Sequence, residues 1–167
     1  LVQLAKIAGC KITGVVGSSS KVDYLKALGV DHIIDKSTQN LWAEAVNIAP
    51  NGYDVILDAN GVSTLKMSYK HLAPCGKLIV YGFHSMFPKK GGKINYAKLG
   101  WDYLKTPSFN PLKTCNENKS VISFNLSYLF DRVDLIIEAI DQLINWANQG
   151  KITPLKTTSY PFDQVAT

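Results

Sequence analysis

The run Gly17-Ser18-Ser19-Ser20-Lys21 holds three hydroxyls and an ammonium in five residues, with no carboxylate among them. Hydroxyls and a lysine suit an anion, and at the end of a strand the anion that fits is a phosphate. A serine ahead of a helix also serves as an ordinary cap for free backbone amides, and the two roles are compatible. Lys36, at a second strand end, either adds another positive charge or is simply solvated. Asn60-Gly61 and Gly82-Phe83-His84 follow two further apolar runs. Small residues there let a cofactor backbone come close, although turn chemistry alone accounts for them. His84 could donate a proton from such a position; a plain loop histidine is the simpler reading.

Metal and disulfide chemistry find little support. Cys10, Cys75 and Cys115 are odd in number and far apart, with no C-x-x-C pair. His32, His71 and His84 are equally dispersed, so no ligand spacing emerges. No catalytic and no metal-binding residue is assigned.

The elements that must carry these clusters alternate. Leu1 to Ala8 reads as the end of a helix, and Lys11 to Val16 as a short β-branched strand. Helical spacing follows over Lys21 to Leu28, a strand over Asp31 to Asp35, and a helix from about Asn40 to Ile48. Tyr53 to Asp58 is apolar enough to be a strand covered on both faces, Ser63 to Leu72 a helix, and Lys77 to Gly82 another buried strand after a turn at Pro74-Cys75-Gly76. From about 84 to 119 the pattern breaks into an excursion, with one helix expected over Tyr96 to Leu104 and loop elsewhere. A strand at Ser120 to Leu126 and an amphipathic helix at Val133 to Asn148 follow. Ile152 to Pro154 begins an extended segment, and Pro161-Phe162-Asp163 looks like the cap of a last helix cut off at Thr167. Strands alternating with helices at this spacing predict an α/β fold, a Rossmann-type doubly wound parallel sheet with right-handed crossovers.

The composition narrows the classes. At 167 residues the chain fits one domain, and 46% hydrophobic with 19% charged residues is that of a globular protein. No apolar run approaches the roughly 20 residues that span a bilayer, and no secretory signal is visible, so a cytoplasmic protein is expected. The net charge of +5 is thinly spread, clustered only at Lys89-Lys90 with Lys93, and Arg132 is the single arginine. This argues against a nucleic-acid footprint. The chain does not start with methionine, which suggests that a segment precedes it.

Taken in order, several stretches resemble one family. Gly17 to Lys21 with Leu25 and Leu28-Gly29-Val30-Asp31-His32, Tyr53 to Asp58, and Gly76 to Gly82 resemble the quinone-oxidoreductase branch of the medium-chain dehydrogenase/reductase superfamily. Asn118 to Leu129 and Asn148-Gln149-Gly150-Lys151-Ile152 with Pro154 look most like its synaptic-vesicle amine-transport-protein group. The resemblance implies a zinc-independent, two-domain, homodimeric enzyme that reduces quinones or other activated enones with NADPH. Ser18, Ser19 and Lys21 would then surround the adenosine 2′-phosphate, with Lys36 nearby. Asn60 and Gly61 would line the cofactor groove. Gly82, Phe83, His84, Phe124 and Asn125 would lie toward the nicotinamide. Many quinone reductases carry a tyrosine near Lys36 that holds the phosphate; this sequence does not.

The resemblance also makes this chain, residues 1–167, a partial dinucleotide-binding domain. The glycine-rich loop, the first strand, the N-terminal catalytic domain and a closing strand are not in it. In the strand order 3-2-1-4-5-6, the first strand lies between those ending at Val16 and Asp58. Two buried edges would face each other unpaired, so the sheet must close up, be filled by another segment, or lose stability. The chain on its own is expected to be inactive. A non-catalytic module binding a partner or membrane surface through Lys89-Lys90-Gly91-Gly92-Lys93 is the alternative. A zinc alcohol dehydrogenase, whose ligands would sit mostly in the preceding domain, is disfavoured.

Overall fold

The structure is a computed structural model; it describes residues 1–88, 92–154, 157 and 159–164. The chain begins with helix α1 (Val2–Ile7), strand β1 (Thr13–Val16) and helix α2 (Val22–Ala27), which a 3-10 turn at Ser19–Lys21 precedes. Strand β2 (His32–Asp35), helix α3 (Leu41–Ile48), strand β3 (Tyr53–Asp58), helix α4 (Leu65–Lys70) and strand β4 (Leu72–Val80) come next. Helices α5 (Tyr96–Lys105) and α6 (Pro111–Glu117), strand β5 (Ser120–Ser123) and helix α7 (Val133–Asn148) complete the set.

All strand pairs are parallel, as the alternation predicts, but they form two sheets. β1 pairs with β2, Val16 opposite Asp35. Separately, β4 pairs with β3 on one side and β5 on the other. The expected break between the strands ending at Val16 and Asp58 is therefore present, and the sheet has not closed up. One consequence corrects the sequence reading: β3 is not covered on both faces. Val55 and Leu57 are 48% and 43% exposed on this edge strand, which pairs with β4 alone, and Val15 of β1 is 47% exposed.

The larger core joins α4 to the three-stranded sheet through Leu65, Tyr69, Leu72, Leu78 and Val80, with Ile56, Phe109 and Val121 packed against it. In the two-stranded half Val16, Val30, Ile34 and Ala45 are also buried. Asparagines set three helix starts: Asn40 accepts from the amides of Trp42 and Ala43, Asn95 from Lys98, and Asn110 from Leu112. Helix α6 stands where the sequence predicts loop: Asn110 is its cap and Pro111 the first helical residue, where its missing N–H costs nothing. The turn at Pro74-Cys75-Gly76 lies inside β4, as an irregularity where register jumps from Tyr53–Leu72 to Val55–Lys77. β5 stops at Ser123, short of the expected Leu126, where a 3-10 turn over Leu126–Tyr128 capped by Asn125 stands instead.

Helix α7 has the expected bounds, yet none of its residues is buried. Thr153 is tied to Gln3 by two hydrogen bonds of 2.9 and 3.1 Å, without a strand at Ile152 to Pro154. A 3-10 turn at Phe162–Gln164 stands where the last helix was expected, and residues 165–167 lie outside the described residues. So do Lys89, Lys90 and Gly91 of the lysine loop. No described helix is long and apolar enough to cross a membrane.

Candidate cofactor-binding site

Two groups of residues gather at the carboxyl ends of the strands. The first lies at the tips of β1 and β2. The Lys36 amide donates to the Val16 carbonyl (3.0 Å), so β2 leaves the sheet beside Gly17. A Cβ on Gly17 would stand 3.3 Å from Lys36 Cε, which puts the lysine stem along the glycine. Ser18, Ser19, Lys21 and Lys36 are thus brought together, with Ser18 half-buried and the other three exposed. Ser18 and Ser20 share a hydroxyl hydrogen bond of 2.8 Å.

Sequence reasoning missed the carboxylate at this tip. Asp35 is buried and accepts from Ser19 Oγ, from the Ser37 amide (2.9 Å) and from Ser37 Oγ. The Ser19 hydroxyl first, and then those of Ser37, hold its carboxyl below the usual carboxylate range. Its charge is turned inward, onto serines. The signal was present: an aspartate followed two residues later by serine is an Asx-turn pattern. The Ser19 hydroxyl proton is consequently committed to Asp35.

The second group is built around Asp58, likewise unassigned from sequence. Its Oδ1 accepts from the amides of Asn60 (2.9 Å) and Gly61 (3.0 Å) and from Thr64 Oγ1 (2.9 Å), and its Oδ2 from Ser68 Oγ (2.8 Å). A buried carboxylate must be satisfied in this way, and here it fixes the Asn60-Gly61 turn. The β4 tip is laced to that turn: His84 N donates to Ala59 O (3.0 Å) and Ser85 N to Asn60 O (2.9 Å). Gly61, at φ +81°, lies under Phe83; a Cβ there would come within 2.5 Å of its ring. At β5, Phe124 N donates to Val80 O (3.2 Å), and the Asn125 side chain accepts from Ser127 N (3.0 Å).

Asn60, Gly61, Gly82, Phe83, His84, Phe124 and Asn125 therefore share one edge. Phe83 and Phe124 are 40% and 52% exposed, and His84 is open to solvent. Among the described residues no group of three or more His, Cys, Asp or Glu is arranged to hold a metal.

A parallel α/β sheet with glycine-bearing loops and one hydroxyl-lysine tip at its carboxyl edge is a Rossmann-type nucleotide-binding domain. A family profile described as "Zinc-binding dehydrogenase" matches residues 1–128. The chain belongs to that family, in the quinone-oxidoreductase branch of the medium-chain dehydrogenase/reductase superfamily, with the VAT-1-like group. It is 33% identical over 149 residues to the Mus musculus "Synaptic vesicle membrane protein VAT-1 homolog", covering 89% of this chain and 36% of that protein. It is 31% identical over 94 residues to a Leishmania amazonensis "Probable quinone oxidoreductase", covering 56% and 27%. Among solved structures, the CurK enoyl reductase matches 98% of this chain and 43% of its own, at 25% identity and a TM-score of 0.68. The chain spans about a third of the length of the VAT-1 relative.

Proposed function

We propose that this chain is part of the dinucleotide-binding domain of a zinc-independent, cytoplasmic, dimeric oxidoreductase that uses NADPH to reduce a quinone or other activated enone. The observation that carries the reading is the β1–β2 tip. The carboxylate beside it, Asp35, is buried on serine donors, while Lys21 and Lys36 are exposed and make no ion pair among the described residues. An unengaged carboxylate would favour a ribose diol; this arrangement favours a 2′-phosphate. Names among the relatives, a quinone oxidoreductase and an enoyl reductase, support the substrate class.

In this reading Ser18, Lys21 and Lys36 hold the phosphate, and Ser19 acts mainly by keeping the Asp35 carboxylate away from it. The Asp58-braced turn places Asn60 and Gly61 along the cofactor, where only a residue without a side chain leaves room beneath Phe83. Phe83 and Phe124 shield the nicotinamide end from water, and Gly82, His84 and Asn125 complete that edge. The bound cofactor supplies the hydride, and the protein orients it. The glycine-rich loop that would cradle the pyrophosphate is not in these 167 residues, so the isolated chain is inactive.

The test is titration of NADPH and NADH into the full-length protein. NADPH is expected to bind more tightly, with each of Lys21→Ala and Lys36→Ala lowering its affinity about tenfold and leaving NADH unchanged. Equal affinities, or a preference for NADH, would sink the phosphate assignment.

A further inference from the structure

Helix α5, in the excursion between β4 and β5, turns its apolar side outward. Tyr96, Trp101, Tyr103 and Leu104 are 58% to 76% exposed, whereas Leu99 and Asp102 are half-buried. At about 100° per residue, the four large side chains and Ala97 fall on one continuous arc with Gly100 near its centre. A Cβ added to Gly100 would meet nothing within 4 Å, so nothing among the described residues lies against the middle of this arc. The helix is held from its other side. Lys98 pairs with Asp102 and donates to the Ser85 carbonyl (2.9 Å), which ties α5 to the 3-10 turn His84–Met86. A helix on the surface of a globular domain ordinarily keeps its polar face outward, and α5 reverses that order.

The rim of the arc is basic. Lys105 stands at its edge with Nζ 4.8 Å over the Trp101 ring, and exposed Lys93 precedes the helix beside exposed Ile94. Between Asp58 and Glu117 the sequence holds nine lysines and one carboxylate, Asp102, which sits on the inner side of α5. The outward face therefore combines aromatic and aliphatic side chains with cations at the margin and no acid. A nucleic acid would call for the charge on the face itself. Trp and Tyr carry a polar handle on an apolar body, the combination that settles at headgroup level, while lysine stems lie along apolar surface and keep the ammonium in the headgroups.

We propose that α5 docks this protein onto the surface of an anionic phospholipid membrane, with Tyr96, Trp101, Tyr103 and Leu104 in the interface and Lys93 and Lys105 against the headgroups. A helix of ten residues is about 15 Å long, too short to span a bilayer, so it lies in the plane of the surface. The apolar arc supplies the depth of binding and the lysines the preference for negative charge. The contact is independent of the NADPH reading, because it shares no residue with the strand tips.

Flotation of the purified full-length protein with vesicles of phosphatidylcholine, alone or with about 30% phosphatidylserine, separates charge from apolar contact. The protein is expected to partition onto the anionic vesicles at least tenfold more strongly than onto the neutral ones. The double variant Trp101→Ala/Leu104→Ala should weaken that partition at least tenfold, and Lys93→Ala/Lys105→Ala about tenfold, with NADPH affinity and melting temperature unchanged in both. Partition that is equal on the two vesicles, that survives the Trp101/Leu104 variant, or that is absent at about 1 mM lipid would overturn the assignment. A lowered melting temperature of the Trp101/Leu104 variant would overturn it too, since the arc would then be packed against another part of the protein.

Discussion

At the scale of single residues, two buried aspartates decide how the candidate site is held. Asp35 and Asp58 each end a strand, and each draws the next turn inward with serine, threonine and amide donors. For Asp35 the consequence is a pH dependence of known sign. Its folded pKa is lowered, so its carboxylate stabilises the fold fully above the ordinary value of about 3.9 and loses that contribution as pH falls through the lowered value. The full-length protein should therefore be more stable than Asp35→Asn at pH 5–7 by thermal melting, with the gap narrowing below about pH 4. A gap that stays constant down to pH 3 would mean that the carboxylate is not what the serines stabilise. The site was legible in sequence as glycines, serines and lysines at strand ends. The aspartates were not, because a carboxylate closing a strand looks like a solvated end until its donors are seen around it.

At the scale of elements, what could be read was whatever depends on neighbours in sequence. The parallel strands, the α7 bounds and the alternation follow local periodicity, and all appear in the structure. What could not be read depends on neighbours in space. A strand such as β3, written in Val55-Ile56-Leu57, announces cover on both faces, yet α4 covers only the Ile56 face, and Val55 and Leu57 on the other face need a further layer. Helix α7 likewise shows an apolar stripe, with Leu135, Ile140 and Ile144 at 41%, 48% and 53% exposure. Stability should follow this gradient. In hydrogen exchange on the isolated chain, amides of β4, paired on both sides, should be the most protected, those of β1 and β3 intermediate, and those of α7 close to the unprotected rate. Protection of α7 equal to that of β4 would show that its stripe is covered, for example by a second copy.

For the whole molecule, the two sheets are joined mainly through side chains rather than a shared ladder. The Tyr53 hydroxyl donates to the Ala45 carbonyl (3.1 Å), and Trp42 stacks on His71 with ring centroids 4.9 Å apart, which links α3 to the three-stranded half. In the proposed reading a dinucleotide would have to touch both halves at once, with its phosphate end at β1–β2 and its nicotinamide end at β3–β5. Binding at two points gains strength only when their separation is fixed to match the ligand, and a loose joint forfeits that gain. On the same proposal, the backbone amides for the pyrophosphate would come from a glycine-rich loop between the two halves, and these 167 residues would bind without that rigidity and those central contacts. NADPH should therefore bind the isolated 167-residue chain with a dissociation constant above about 1 mM and without hydride transfer. The full-length protein should bind it at least a hundredfold more tightly, about 2.7 kcal/mol. Micromolar affinity from the isolated chain, read by fluorescence titration, would show instead that the two strand-tip groups are held in register without a central strand.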